Sequence, residues 1–122
     1  MEEKRQKFLV YTTQHLKDAI SYCKDKGYRI ILTADTNSHN KMWGNLNNNR
    51  GLQWGTWIED ENLLLHNTGK IPTFESKIGK SVIDITLSYN LKWNLSNWRV
   101  LRGYNGTDRN SIHFKKSNKE NL

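Results

Sequence analysis

Val82-Ile83-Asp84-Ile85-Thr86-Leu87-Ser88-Tyr89 alternates, with Ile83, Ile85, Leu87 and Tyr89 in one phase and Asp84, Thr86 and Ser88 in the other. A period of two is that of a strand, whose successive side chains point to opposite faces. The stretch therefore predicts a strand with an apolar face and a carboxylate among hydrophobic neighbours. Upstream, Tyr28-Arg29-Ile30-Ile31-Leu32-Thr33-Ala34 is rich in β-formers and ends at Asp35, which predicts a second strand. Before it, Leu16, Ala19, Ile20 and Cys23 are spaced as one apolar stripe, with Thr12 or Thr13 able to cap a helix and Gly27 to stop it. Helix followed by strand predicts an α/β layer.

Residues 36–50 contain Gly44 and five Asn between Asn40 and Asn49, which reads as a long loop. A second helix is expected from Gly51 into the Glu59-Asp60-Glu61 cluster, with Leu52, Trp54, Trp57 and Ile58 as its apolar positions. Leu63 to Leu65 resumes extended structure. Residues 68–72 form a turn, 73–76 a short strand, 77–80 a turn, and 98–101 and 111–115 the last strands. Residues 1–116 are read as a single domain and 117–122 as a polar tail.

The chain has 122 residues, 19 Lys and Arg against 12 Asp and Glu, a net charge of +7 and a pI near 9.6. That length buries roughly two thirds of its unfolded surface, enough for one modest core. The longest apolar stretch, Phe8 to Tyr11, falls far short of the ~20 residues that span a bilayer, so no membrane partner is expected. A single cysteine, Cys23, cannot form an internal disulfide and is expected as a small apolar filler in a reducing compartment. The basic balance makes a polyanion the natural partner. From Arg99 onward, Arg99, Arg102, Arg109, Lys115, Lys116 and Lys119 face only Asp108 and Glu120, a composition suited to a phosphate backbone or simply to a solvated basic surface. Trp43 and Trp54 are read as core residues, with base stacking as the alternative.

Asp35, Asp84 and Asp108 each stand at or near a predicted strand end, where α/β folds place ligands. Asn37 leaves the same strand two positions after Asp35. A carboxylate to orient water, an amide donor for phosphate oxygens and a divalent ion to offset charge are what phosphodiester hydrolysis requires. Each Asp alone is more often a turn or capping residue. One cysteine and four histidines show no paired ligand spacing, so no zinc site is expected.

Ala34-Asp35-Thr36-Asn37-Ser38-His39, Met42-Trp43-Gly44, Arg50-Gly51, Leu65-His66-Asn67-Thr68-Gly69, Pro72-Thr73-Phe74, Ser81 to Ser88, Trp98-Arg99-Val100 and Thr107-Asp108 form an ordered series. In that order and spacing the chain resembles the endonuclease/exonuclease/phosphatase superfamily, most closely the apurinic-type endonuclease domain of non-LTR retrotransposons. The resemblance runs from about Lys17 to Phe114 and covers the second half of that domain. It implies the C-terminal half of a four-layered α/β sandwich, a mixed, mainly antiparallel sheet with two helices on one face and an inner face lacking its partner. Such a half is expected to self-associate or to need the N-terminal half.

The resemblance also implies roles. Asp35 resembles the carboxylate that orients or deprotonates the attacking water, and Asn37 the amide that holds the scissile phosphate. Asp84 resembles the strand carboxylate that bonds the catalytic histidine. Asp108 resembles the acid before that histidine and would be the ligand for Mg2+, although the family's principal metal ligand lies in the absent half. The implied partner is DNA and the implied setting intracellular and nuclear.

Where the family ends in Ser-Asp-His, this chain reads Thr107-Asp108-Arg109. An arginine is always charged and only donates, whereas histidine cycles a proton near neutral pH. Losing such help typically lowers rate by ~10²–10⁴, about 3–5 kcal/mol of barrier. The expectation is an impaired metal-dependent DNA endonuclease half-domain. The alternatives are a catalytically inactive basic fold that binds nucleic acid, and an RNase H-like nuclease built on Asp35, Asp84 and Asp108. His39 matches the family's loop pattern without an assignable role, and His15, His66 and His113 are read as structural.

Overall fold

The computed structural model describes the backbone of residues 2–44, 46–69, 71–77, 79–102 and 109–118, with side chains described between residues 14 and 117. In chain order the elements are α1 (Glu2–Asp25), β1 (Ile30–Asp35), a 3-10 turn at Lys41–Trp43, α2 (Asn49–Asp60) and β2 (Leu64–Leu65). They continue with β3 (Phe74–Ser76), β4 (Gly79–Ser81), β5 (Asp84–Tyr89), β6 (Trp93–Leu101) and β7 (Ser111–Asn118).

β5 is the centre of a three-stranded sheet in the order β1-β5-β2, as its alternation predicts. Ile85 and Leu87 have no exposed surface and meet Ile20 of α1, Trp57 and Ile58 of α2, and Trp43 of the 3-10 turn. Both helices therefore cover one face of this sheet. Apolar burial at roughly 25 cal/mol per Å2 is what joins the layers. Gly27, at φ 69°, ends α1 in the left-handed region that glycine adopts without strain, and Tyr28 N–H returns to Cys23 O at 2.9 Å.

Several expectations need correction. The helix cap expected at Thr12 or Thr13 is absent, because the α1 backbone is already helical from Glu2. The sheet is not mixed: every pairing among the described strands is antiparallel. β6 begins at Trp93 rather than Trp98, and β7 runs on to Asn118, so Ser117 and Asn118 belong to a strand and not to a tail.

The polar phase of β5 is not open either. Thr86 and Ser88 are buried, because Trp98 of β6 donates its Nε1–H to Thr86 Oγ1 at 3.0 Å and His66 Nε2 shares a 2.6 Å hydrogen bond with Ser88 Oγ. The β6–β7 hairpin thus reaches this polar face through Trp98. Farther along that face, Ile31 of β1 remains exposed.

The asparagines have conformational work. Asn37, Asn62, Asn90 and Asn97 all have positive φ, a region asparagine tolerates better than other side-chain-bearing residues. Asn97 does so at the irregularity in β6, between Ser96 and Arg99.

Candidate active site

The antiparallel register places Asp35, the last residue of β1, directly opposite Asp84, the first of β5. Side chains of opposed residues share a face, and like charges there repel. What resolves the repulsion is Arg109. Its Nη1 donates to both oxygens of Asp84, at 2.5 and 2.6 Å, and its Nη2 to Asp35 Oδ2 at 2.5 Å. Charge-assisted bonds of this forked kind are the strongest a side chain makes. Asp84 is largely buried, whereas Asp35 and Arg109 are each 44% exposed in their side chains, so the cluster opens to solvent on one side. Partial burial works against the Arg109 charge, but the hydrogen bonds to Asp35 and the charge and hydrogen bonds of Asp84 outweigh it and raise its pKa further.

Backbone contacts fix each participant. The single hydroxyl of Thr73, fully buried, accepts the N–H of Ile83 at 3.0 Å and of Asp84 at 3.2 Å. Asn67 donates to Asp84 O at 3.0 Å and accepts from Thr86 N–H at 2.9 Å, continuing the β2 side of the ladder with an amide. Buried Thr36 donates its N–H to Ile83 O at 2.7 Å, which ties the end of β1 to the start of β5. Arg109 bridges to Phe74, and its guanidinium carbon lies 5.7 Å from that ring centroid. Asn110 N–H donates to Thr73 O at 2.9 Å, while its side chain reaches Pro72 O and Glu75. Thr36, Asn67, Thr73 and Asn110 are absent from the sequence reading as functional positions. Their signal was the motif series itself, which contains the first three.

Asn37 sits beside the cluster, its N–H donating to Asp35 Oδ1 at 3.0 Å and its carbonyl receiving Arg50 Nη1 at 3.4 Å. Asp35, Asp84 and Arg109 line a cleft of about 330 Å3 with Thr33, Asn110, Ile112 and Phe114. Asp108, named above as catalytic and as the Mg2+ ligand, lies outside the described residues.

The other candidates are placed elsewhere. Trp43 is core, with its Nε1–H donated to Ser38 O at 3.3 Å, and Trp54 stacks edge-on against Trp57. The basic C-terminal set is partly neutralised: Arg102 pairs with Glu75 and Arg109 with the two aspartates. Arg102 first, then Asn110, hold the Glu75 carboxyl below its usual range. Lys116 lies over the Trp93 ring, and Lys119 is outside the described residues.

The described residues do not fit a divalent ion. No group of three or more His, Cys, Asp or Glu that could hold one occurs among them. The two converging carboxylates already face a guanidinium, while Mg2+ is usually held by one or two carboxylates with waters and phosphates.

The endonuclease-reverse transcriptase family matches residues 4–113, nearly the whole chain. The chain belongs to that family. Among solved structures, the endonuclease domain of TRAS1, a telomere-specific non-LTR retrotransposon, superposes with a TM-score of 0.72 at 24% sequence identity. The match covers 86% of this chain and 49% of that one, so this member spans about half the length of the solved domain and shares its fold over that half. No curated protein matches significantly. No described helix is long and apolar enough to cross a membrane.

Proposed function

We propose that this family member is the C-terminal half of a DNA phosphodiesterase of the retrotransposon endonuclease type, and that Arg109 impairs its turnover. The observation that carries this reading is the meeting of Asp35 and Asp84 on one guanidinium at the sheet end. Asp35 is the group to orient water, and the exposed side chain of Asn37 the group to hold a phosphate oxygen. Asp84, which would otherwise orient a proton-cycling histidine, is bound to a side chain that keeps its proton. A general acid–base contribution of ~10²–10⁴ is therefore missing from the residues in hand.

Magnesium at Asp108 remains part of this proposal, and no step is routed through it. An intracellular, nuclear setting is part of the same proposal. Completion by an N-terminal half, or self-association, would supply the remaining sandwich layers.

Relaxed-plasmid formation in magnesium buffer tests the reading, with the unaltered chain and Arg109→His compared alone and after adding the N-terminal half of a family domain. The expected result is negligible nicking by the unaltered chain and a gain of about tenfold or more for Arg109→His in the complemented reaction. Brisk cleavage by the unaltered chain would contradict impairment. The second reading, a binding-only fold, is favoured by the same fixed guanidinium. It predicts salt-sensitive DNA retention indifferent to Asp35→Ala and no gain from Arg109→His.

A further inference from the structure

All four carboxylate oxygens of the Asp35–Asp84 pair already receive a donor. Asp84 Oδ1 and Oδ2 take Arg109 Nη1, Asp35 Oδ2 takes Arg109 Nη2, and Asp35 Oδ1 takes the N–H of Asn37. The guanidinium occupies the space between the two carboxylates, where a bridging cation would have to sit.

The Arg109 side chain is exposed on one side, but it starts from an anchored backbone. Its backbone is bridged to Phe74, and its neighbour Asn110 is bonded to Thr73 O and Pro72 O. Glu75, the other carboxylate among the described residues of this region, is engaged by Arg102 and Asn110 and is turned to a different cation. Two carboxylates and one guanidinium leave a formal charge of −1, against −2 for the bare pair. A second cation brought there meets a fixed like charge at contact range.

We infer that Arg109 is the resident cation of the Asp35–Asp84 pair, built into the chain, and that it bars divalent ions from these two carboxylates. The charge of the pair is halved by a group that brings order without Lewis acidity. Nucleic acid that reaches this cleft meets a centre whose charge does not change with the divalent-ion concentration. The inference deepens the proposed reading of the site but concerns the carboxylates themselves, and it is tested without DNA.

The probe is Mn2+, whose paramagnetism erases amide NMR signals near its binding site. In the unaltered chain, the Asp35 and Asp84 amide signals are expected to show no Mn2+ bleaching that Asp84→Asn removes. In Arg109→Ala and Arg109→Gln these signals are expected to bleach, with affinity about a hundredfold above any shown by the unaltered chain, and adding Asp84→Asn should abolish the bleaching. Arg109→Lys, which keeps the charge, should stay unbleached. Bleaching of both signals in the unaltered chain, lost in Asp84→Asn, would overturn the inference on a protein whose fold is not in question. So would variants that fold but gain no Mn2+ affinity. Failure of DNA cleavage or binding would leave these readouts unchanged, so the two proposals fail separately.

Discussion

His66 shows how a side chain read as merely structural earns its position. Its Nε2 shares a 2.6 Å hydrogen bond with buried Ser88 Oγ, and its own backbone N–H continues the ladder to Thr86 O. Burial lowers its pKa from the ordinary value of 6.5. The unfolded chain then binds more protons than the folded one as the pH falls below 6.5, so stability is greatest above that value and declines on acidification through the folded pKa. Urea unfolding followed from pH 8 to about pH 5 should show this decline, and His66→Gln should flatten it. An unchanged profile would assign the dependence elsewhere. At this scale Asp35, Asn37 and Asp84 were legible because motif order and strand period both mark them. Thr73 was not, since a threonine before Phe74 reads as a β-former, and only its burial against two backbone N–H groups shows its other task.

Between β1 and α2 the chain is an ordered loop held by asparagines. Asn48 Oδ1 accepts the N–H groups of both His39 and Gly51, at 3.1 and 2.8 Å, and so caps α2 while fastening the loop to it. Asn40 donates to Gly51 O at 2.9 Å. Gly51 is needed for close approach: a Cβ there would lie 1.7 Å from His39 O, a backbone atom that cannot step aside. Gly51→Ala should therefore cost about 3 kcal/mol or more by overpacking, read as a loss of urea midpoint, although alanine is the better helix former. A neutral outcome would show that loop and helix are not in contact. The sequence marks Arg50-Gly51 and both helices, yet presents this segment only as asparagine-rich loop, since side-chain bonds across nine and eleven residues leave no periodic trace. The early part of β6 escaped for a related reason. Asn94, Ser96 and Asn97 are poor β-formers, and Asn97 takes a positive φ inside the strand.

At the scale of the molecule, the site is assembled from three separate parts of the chain. β1 brings Asp35, β5 brings Asp84, and Arg109 enters from the connection between β6 and β7, the hairpin laid over the polar face of their sheet. Alternation in β5 foretold which face meets the helices, because apolar residues at a period of two leave no choice of side. It could not foretell that Trp98 would cover Thr86, a contact between residues whose own strands do not pair. Arg109 is thus both the chain's departure from its family's pattern and the tie between hairpin and sheet. A double-mutant cycle joining Arg109→Ala with Asp84→Ala, followed by urea unfolding, measures that tie directly. A coupling of about 1 kcal/mol or more is expected, above that of a fully exposed pair because Asp84 is largely buried and bonded through both oxygens. Additive losses would show that the guanidinium does not hold the carboxylate, and the account of this site would be wrong.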